Sequence, residues 1–204
     1  FVLAGPRDFQ HAALNPDGAL RFYPGSPVLA LALMRPQDRL IACELHPEDA
    51  RHLKLALRDD KRAEIHHRDG YQALKALLPP RERRGLVLVD PPFETPDERR
   101  VLVRALVAAH ERWATGTYAL WYPIKANSEA KLLHAELANT GIRRQIAIEL
   151  RLHAGDDPAR LNGCGLAIVN PPFRFDAAAL PVVQALHRAL GGEGGTRLVE
   201  IAGE

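Results

Sequence analysis

The stretch Gly85–Glu94, GLVLVDPPFE, restricts what this chain can fold into more than any other. Four branched apolar residues, Leu86, Val87, Leu88 and Val89, stand between Gly85 and Pro91, and a short run of this kind predicts a strand buried on both faces of a parallel sheet covered by helices. The strand ends on a carboxylate. Ligands of open α/β sheets gather at the carboxyl ends of the strands, so Asp90 is delivered to the place where chemistry occurs. Pro91 and Pro92 then stop the ladder, since neither has an N–H to donate and each fixes its φ. The turn offers one acid, carbonyls that no strand claims, and one ring, Phe93. Those parts suit a planar base with an exocyclic amino group. The same tetrapeptide also suits plain strand termination, and its neighbours decide between the two readings.

The flanking pattern alternates strand and helix. Residues 1–20 carry turn residues (Gly5, Pro6, Asn15, Pro16, Asp17, Gly18) with little periodicity. FYPGSP then leads into VLALALM, with Ser26 as a helix cap and Pro27 at the first helical position. A helix N-terminus beside Gly25 attracts carboxylates and phosphates, and is equally an ordinary capped helix. A strand over Arg39–Leu45 places Glu44 at its carboxyl end, a position from which an acid can accept from both hydroxyls of a ribose. An amphipathic helix over Glu48–Arg58 and a strand over Ala63–Arg68 lead to Asp69-Gly70, where glycine permits close approach of a flat ligand. Further helices are predicted over Tyr71–Leu78, from Pro96 to Trp113, and over Glu129–Asn139, with a strand at Thr117–Tyr122 that ends at Pro123. Trp121 at that end suits a cleft wall but fits core packing better. Arg143–Leu152 and Gly163–Val169 read as an antiparallel hairpin. Ala177–Leu190 reads as a last helix, followed by a flexible stop at Gly191–Gly195 before the terminal TRLVEIA. The order is that of one α/β domain over residues 1–204, a mostly parallel sheet closed by an antiparallel hairpin.

Composition bounds the function. With 204 residues, 47% hydrophobic and 25% charged, the chain is long enough for a real core and holds no apolar run long enough to span a bilayer. The formal net charge of +2 supports nucleic-acid binding only weakly, so a basic surface has to come from local clusters. Arg81, Arg83 and Arg84 form one, but they precede the central strand, at the end opposite Asp90, and read as solvated surface. Cys43 and Cys164 lack metal-ligand spacing and read as buried free thiols. His66 and His67 face opposite ways on a strand, so no metal site is expected. A second turn, Asn170-Pro171-Pro172-Phe173, duplicates the first. Asp90 follows two strand-helix units that end in Glu44 and Asp69, whereas Asn170 lies past the hairpin. Asp90 is therefore taken as the functional copy and Asn170 as strand-terminating structure.

Taken in order, FYPGSP, CELHP, RDGYQALKALLPP, RRGLVLVDPPFE, TGTYALWYPI, GIRRQIAIEL and GLAIVNPPF resemble the bacterial 23S ribosomal RNA adenine-N6 methyltransferases of the RlmJ type over nearly all of residues 20–175. The resemblance implies a class I methyltransferase fold, Rossmann-like, with helices on both faces of a seven-stranded sheet whose last strand is antiparallel. It implies S-adenosylmethionine as methyl donor, contacted by Ser26, Glu44, Asp69 and Gly70, with Glu44 on the ribose and Asp69 near the adenine. Asp90 matches the catalytic position, and Pro91, Pro92 and Phe93 complete the base-binding turn. Phe93 stands where the family usually has Tyr, which keeps the stacking face and loses only a hydroxyl. The family's N-terminal strand and Gly-containing donor loop have no counterpart before Phe22. The sequence is therefore read as lacking that portion, and weak donor binding is expected of it. The implied partner is 23S ribosomal RNA before full ribosome assembly, for a cytoplasmic monomer that needs neither DNA nor membrane. A DNA adenine-N6 methyltransferase, a protein amide methyltransferase and a non-catalytic RNA-binding remnant share parts of this pattern.

Overall fold

A computed structural model describes Asp17, Arg21 and residues 24–95 and 97–203. The loop reading of residues 1–20, the Phe22-Tyr23 pair and the helix start at Pro96 lie outside the described residues, apart from Asp17. The chain divides into two compact units that meet in sequence between Ala73 and Leu74.

The first unit holds α1 (Ser26–Leu33), β1 (Leu40–Glu44), α2 (Pro47–Leu57), β2 (Ala63–His67) and the start of α3 (Gly70–Leu77). β1 and β2 pair in parallel, from Leu40 with Ala63 to Glu44 with His67. The helix start differs from expectation by one residue. Gly25, extended at φ −69° and ψ 168°, occupies the cap, Ser26 is already helical, and no side chain caps the end. The Gly25 carbonyl instead accepts from the Val28 and Leu29 amides at 3.0 and 3.1 Å, while Pro27 still costs nothing because its missing N–H lies in the first turn. At the other end of α1, the Arg62 guanidinium donates to the carbonyls of Leu31 (3.1 Å), Met34 (2.9 Å) and Arg35 (3.4 Å). The Leu31 and Arg35 carbonyls also accept from the Met34 and Asp38 amides at 3.3 and 3.1 Å, whereas the Met34 carbonyl, just past the helix end, accepts from Arg62 alone among the described residues. Asp60 holds that guanidinium in turn, at 3.0 Å to Nε and 2.6 Å to Nη2.

The second unit is a five-stranded sheet in the order β3 (Leu86–Val89), β4 (Thr117–Ile124), β6 (Gly163–Val169), β5 (Gln145–Arg151), β7 (Gly195–Ala202). β3 and β4 are parallel, and β6 runs against both β4 and β5. β3, β4 and β5 therefore share one direction, and the expected hairpin is present. The terminal segment from Gly195, left without an assignment after the expected flexible stop, is a further strand antiparallel to β5. Pro123 also lies inside β4 instead of ending it. β3 pairs with β4 only as far as Leu120, so beyond that point one edge of β4 is open and tolerates a residue without an N–H.

α4 (Glu98–Arg112) and α5 (Asn127–Ala138) cover one face of this sheet, and α6 (Phe175–Ala189) packs on β5 and β7. The Tyr118 hydroxyl, buried under α4, donates to the Ala109 and Trp113 carbonyls at 3.0 and 2.8 Å, and burial pushes its pKa up to about 12. Tyr122 lies across Gly165 to reach Glu149, because a Cβ on Gly165 would stand 2.1 Å from the ring. Its hydroxyl donates to Glu149 Oε1 at 3.2 Å and sits 2.8 Å from His134 Nε2 on α5. Burial lowers the pKa of His134, favouring a neutral imidazole that gives its Nε2–H to the phenol oxygen. β3 itself is not buried on both faces as its composition predicts. It is an edge strand of this sheet, and Leu86 and Leu88 remain 64% and 51% exposed. Among the described residues no helix is long and apolar enough to cross a membrane.

Candidate functional site

The Asp90–Phe93 turn leaves β3 at the end of the sheet where Trp121 stands one residue beyond the last β3–β4 pair, Val89 with Leu120. Asp90 is exposed, Pro91 buried, Pro92 exposed and Phe93 half-buried. Among the described residues the Asp90 carboxylate has no hydrogen-bond or ion-pair partner, and the carbonyls of Pro91 and Pro92 accept no hydrogen bond. Although its side chain reaches solvent, desolvation by the atoms around it, without a compensating donor, raises the Asp90 pKa. The turn therefore presents acceptors and no competing donor. Phe93 holds φ at 51°, a region costly for an aromatic residue, and this conformation fixes the direction of its ring.

Trp121 completes the wall. Its indole meets the Phe93 ring edge-on, at 6.2 Å between centroids and 61° between planes. On the same face of the sheet its side chain lies beside Cys164, the diagonal neighbour across β4 and β6. Burial pushes the Cys164 thiol up, the adjacent Trp121 indole opposes the shift, and the nearby Asp90 charge adds to it. Cys43 and Cys164 are free, as expected, but half-buried. Composition favours Trp121 as core. Its alternation with the fully buried Tyr122 and its register beside Asp90 were the available signals that it faces the other way.

The second proline turn differs in every one of these respects. β6 runs antiparallel to β4, so Asn170 lies beside the start of β4, at the opposite end of the sheet from Asp90. Asn170 Nδ2 donates to the Ala114 and Gly116 carbonyls at 2.8 Å each, and the Asn170 carbonyl accepts from Thr117 Oγ1 at 3.0 Å. The Pro171 carbonyl accepts from Arg144 Nη2 at 3.3 Å, and the Pro172 carbonyl accepts from the Phe175 amide at 3.0 Å. The two proline carbonyls that the Asp90 turn leaves open are taken here, and the Asn170 side chain is committed through its Nδ2.

In the first unit, Glu44 and Asp69 stand at the carboxyl ends of neighbouring parallel strands, joined by the Arg68 amide to the Glu44 carbonyl at 3.0 Å. Glu44 Oε1 accepts from the His46 amide at 2.8 Å, which orients the carboxylate and leaves Oε2 open. Asp69 Oδ1 accepts from the Tyr71 amide at 2.7 Å, so it also caps α3. Over Gly70 an added Cβ would meet no atom within 4 Å, which leaves the first turn of α3 open. Ser26 is exposed at the N-terminal end of α1, away from the end latched by Arg62. Two acceptors at adjacent strand ends and an open helix start are the features this part of the chain offers to a ligand.

Comparisons with known proteins bear on these parts. The family model described as Ribosomal RNA large subunit methyltransferase D, RlmJ matches residues 10–202. Ribosomal RNA large subunit methyltransferase J of Haemophilus influenzae is 40% identical over 175 residues, 86% of this chain and 62% of that protein. The Escherichia coli K12 protein of the same name is 40% identical over 176 residues, 86% of this chain and 63% of its own. The chain thus spans a little under two thirds of the length of these curated relatives. The crystal structure of LPL1258 from Legionella pneumophila covers 95% of this chain and 72% of its own at 31% identity, with a TM-score of 0.84.

Proposed function

The chain belongs to the RlmJ family of ribosomal RNA large subunit methyltransferases, and on that premise we propose that it carries the catalytic turn of an enzyme that methylates the N6 amino group of an adenine in 23S ribosomal RNA. The observation that carries the reading is the set of open acceptors at Asp90, Pro91 and Pro92, with the Phe93 ring held beside them against Trp121. S-adenosylmethionine, held by Glu44 and Asp69 with Ser26 and Gly70 contributing, supplies an electrophilic methyl group. The remaining work belongs to the protein's own residues.

An adenine amino nitrogen is a weak nucleophile because its lone pair is delocalised into the ring. Asp90 and the Pro91 carbonyl accept its two N–H groups and favour a tetrahedral nitrogen whose lone pair points at the methyl carbon. With the donor bound, the N–CH3 bond would form as the S–CH3 bond breaks and the thioether leaves, and the amino group would lose one proton toward Asp90 or water. No covalent enzyme intermediate is required. Phe93 stacks the base, which must leave its helix to reach the turn, at a cost of a few kcal/mol that is least for unpaired RNA. Fixed placement of both reactants supplies much of the rate.

The test is transfer of labelled methyl from S-adenosylmethionine to protein-free 23S ribosomal RNA, to DNA and to peptides, with this chain and with a form spanning the full length of its relatives. Label recovered as N6-methyladenosine in RNA, lost in Asp90→Ala and kept in Asn170→Ala, is the expected result. Transfer that survives Asp90→Ala and disappears in Asn170→Ala would assign the chemistry to the other turn. RNA binding without transfer in either form would leave an RNA-binding protein.

A further inference from the structure

The second proline turn is left over by the chemistry above, yet its ring is displayed with unusual openness. Phe173 is 93% exposed, the most exposed of the large apolar side chains in the described structure. It is presented by a rigid device. Asn170 at φ 52° and Arg174 at φ 58° bracket the two prolines, and the Asn170 side chain locks the turn to the connection between α4 and β4. A floppy loop would bury such a ring against the nearest apolar surface, and this one cannot.

The surroundings are cationic. At this edge a row of main-chain and hydroxyl bonds runs across the sheet. The Thr117 amide donates to the Gly85 carbonyl at 3.2 Å, Thr117 Oγ1 to the Asn170 carbonyl at 3.0 Å, the Asn170 amide to the Arg144 carbonyl at 3.0 Å, and the Arg144 amide to the Gly203 carbonyl at 2.9 Å. That row brings together the segments carrying Arg81, Arg83 and Arg84 before β3, Arg143 and Arg144 before β5, and Arg174 after β6. All six arginines are exposed, and among the described residues none of them forms an ion pair. Glu82 and Asp176 are the acids in the same segments. With neighbouring strands about 4.8 Å apart, the three steps from β3 to β5 spread these guanidinium groups over roughly 15 Å. An exposed aromatic among arginines is the composition that grips single-stranded nucleic acid. The ring stacks a base of any identity, and planar guanidinium forks take phosphates.

We propose that this edge of the sheet, built on Phe173 with Arg143, Arg144 and Arg174 around it, is a second RNA-contact surface that stacks an unpaired base and neutralises the phosphates beside it. The proposal rests on the reading of RNA as substrate. It places the contact about 13 Å of strand away from Asp90, since β3 is four residues long, so one RNA segment that reaches both ends is held while its target adenine is presented.

The test is equilibrium binding of the whole chain to a fluorescein-labelled, protein-free fragment of 23S ribosomal RNA over a series of salt concentrations, with methyl transfer measured in parallel. Phe173→Ala should weaken binding roughly tenfold, Phe173→Leu should do the same, and Phe173→Trp should restore it. Arg143→Gln and Arg174→Gln should each lower the slope of log affinity against log salt by about 0.7. Transfer to an adenine in an oligonucleotide of a few nucleotides, too short to reach this edge, should keep its rate in all five variants. Phe173→Ala binding as tightly as the unaltered chain, Phe173→Trp failing to restore affinity, or unchanged salt slopes would each overturn the surface. Failure of the functional reading is distinguishable, because the unaltered chain would then bind RNA without methylating it.

Discussion

Replacing Gly165 by alanine is expected to be among the most damaging single-methyl changes in this molecule. The added Cβ would stand 2.1 Å from Tyr122 Cζ, 2.3 Å from its hydroxyl oxygen and 2.6 Å from Cε2. These are not the loose end of a flexible side chain. Tyr122 is 1% exposed, packed by α5, and held by Glu149 and His134. The ring has to move by an ångström or more. Overpacking of this kind costs about 1–3 kcal/mol. The displaced hydroxyl also stops donating to Glu149, itself 2% exposed, and loss of a hydrogen bond to a buried charged group adds about 1.5–3 kcal/mol. The sum is about 2.5–6 kcal/mol, a fall in Tm of roughly 5–24 °C for a chain of this length. Trp113 and Trp121 are the two tryptophans of the chain, and both lie in the unit that contains Gly165, so intrinsic fluorescence during urea unfolding reports on that unit. In a Tyr122→Ala background the clash is gone, and Gly165→Ala should then cost less than about 1 kcal/mol, a coupling that a double-mutant cycle measures directly. An equal cost in both backgrounds would refute the steric argument.

Transfer should fail on the acid side at a pH above the 3.8 of an ordinary aspartate, because burial raises the Asp90 pKa and only the ionised carboxylate accepts from the amino group. The same shift means that the folded state holds the Asp90 proton longer than the unfolded chain, so Asp90 lowers stability as pH rises through that window, and Asp90→Asn should remove this slope in a pH series of unfolding curves. Trp121→Ala should cut transfer two- to tenfold by releasing the edge contact on Phe93, worth about 0.5–1.5 kcal/mol, and Trp121→Phe should recover most of it; equal rates in all three proteins would show that Phe93 needs no wall. Arg62→Met should accelerate amide hydrogen exchange throughout α1, since the Met34 carbonyl loses its donor and those of Leu31 and Arg35 lose one of two, and unchanged exchange would show that Arg62 latches nothing. Hydrogen bonding to Arg62 holds the Asp60 carboxyl down at about 2, so this latch should persist below the pH at which ordinary aspartates protonate and be lost only as pH falls toward that value.

Most of the elements were determined by the sequence alone, which also singled out the Asp90 turn as the candidate reactive one. Apolar runs bounded by Gly and Pro fix strands locally, and β6 was read at its observed bounds, Gly163–Val169. A carboxylate directly after such a strand can only emerge at its carboxyl end, which placed Glu44, Asp69 and Asp90 before any coordinate was known. Tertiary structure decided what depends on neighbours remote in the chain. Pro123 looked like a strand end and is a strand interior, because whether a proline is tolerated depends on how far β3 extends alongside. Leu86 and Leu88 looked buried and are exposed, because burial belongs to whatever packs on a face and not to the residue. The residues 195–202 carried no assigned element and form β7, because a strand at the edge of a sheet needs only a partner, here β5, and little signal of its own. The two proline turns are nearly identical as text. One carries free acceptors and the other has spent them, and that difference exists only once antiparallel pairing has carried Asn170 to the opposite end of the sheet, beside Thr117 and Arg144.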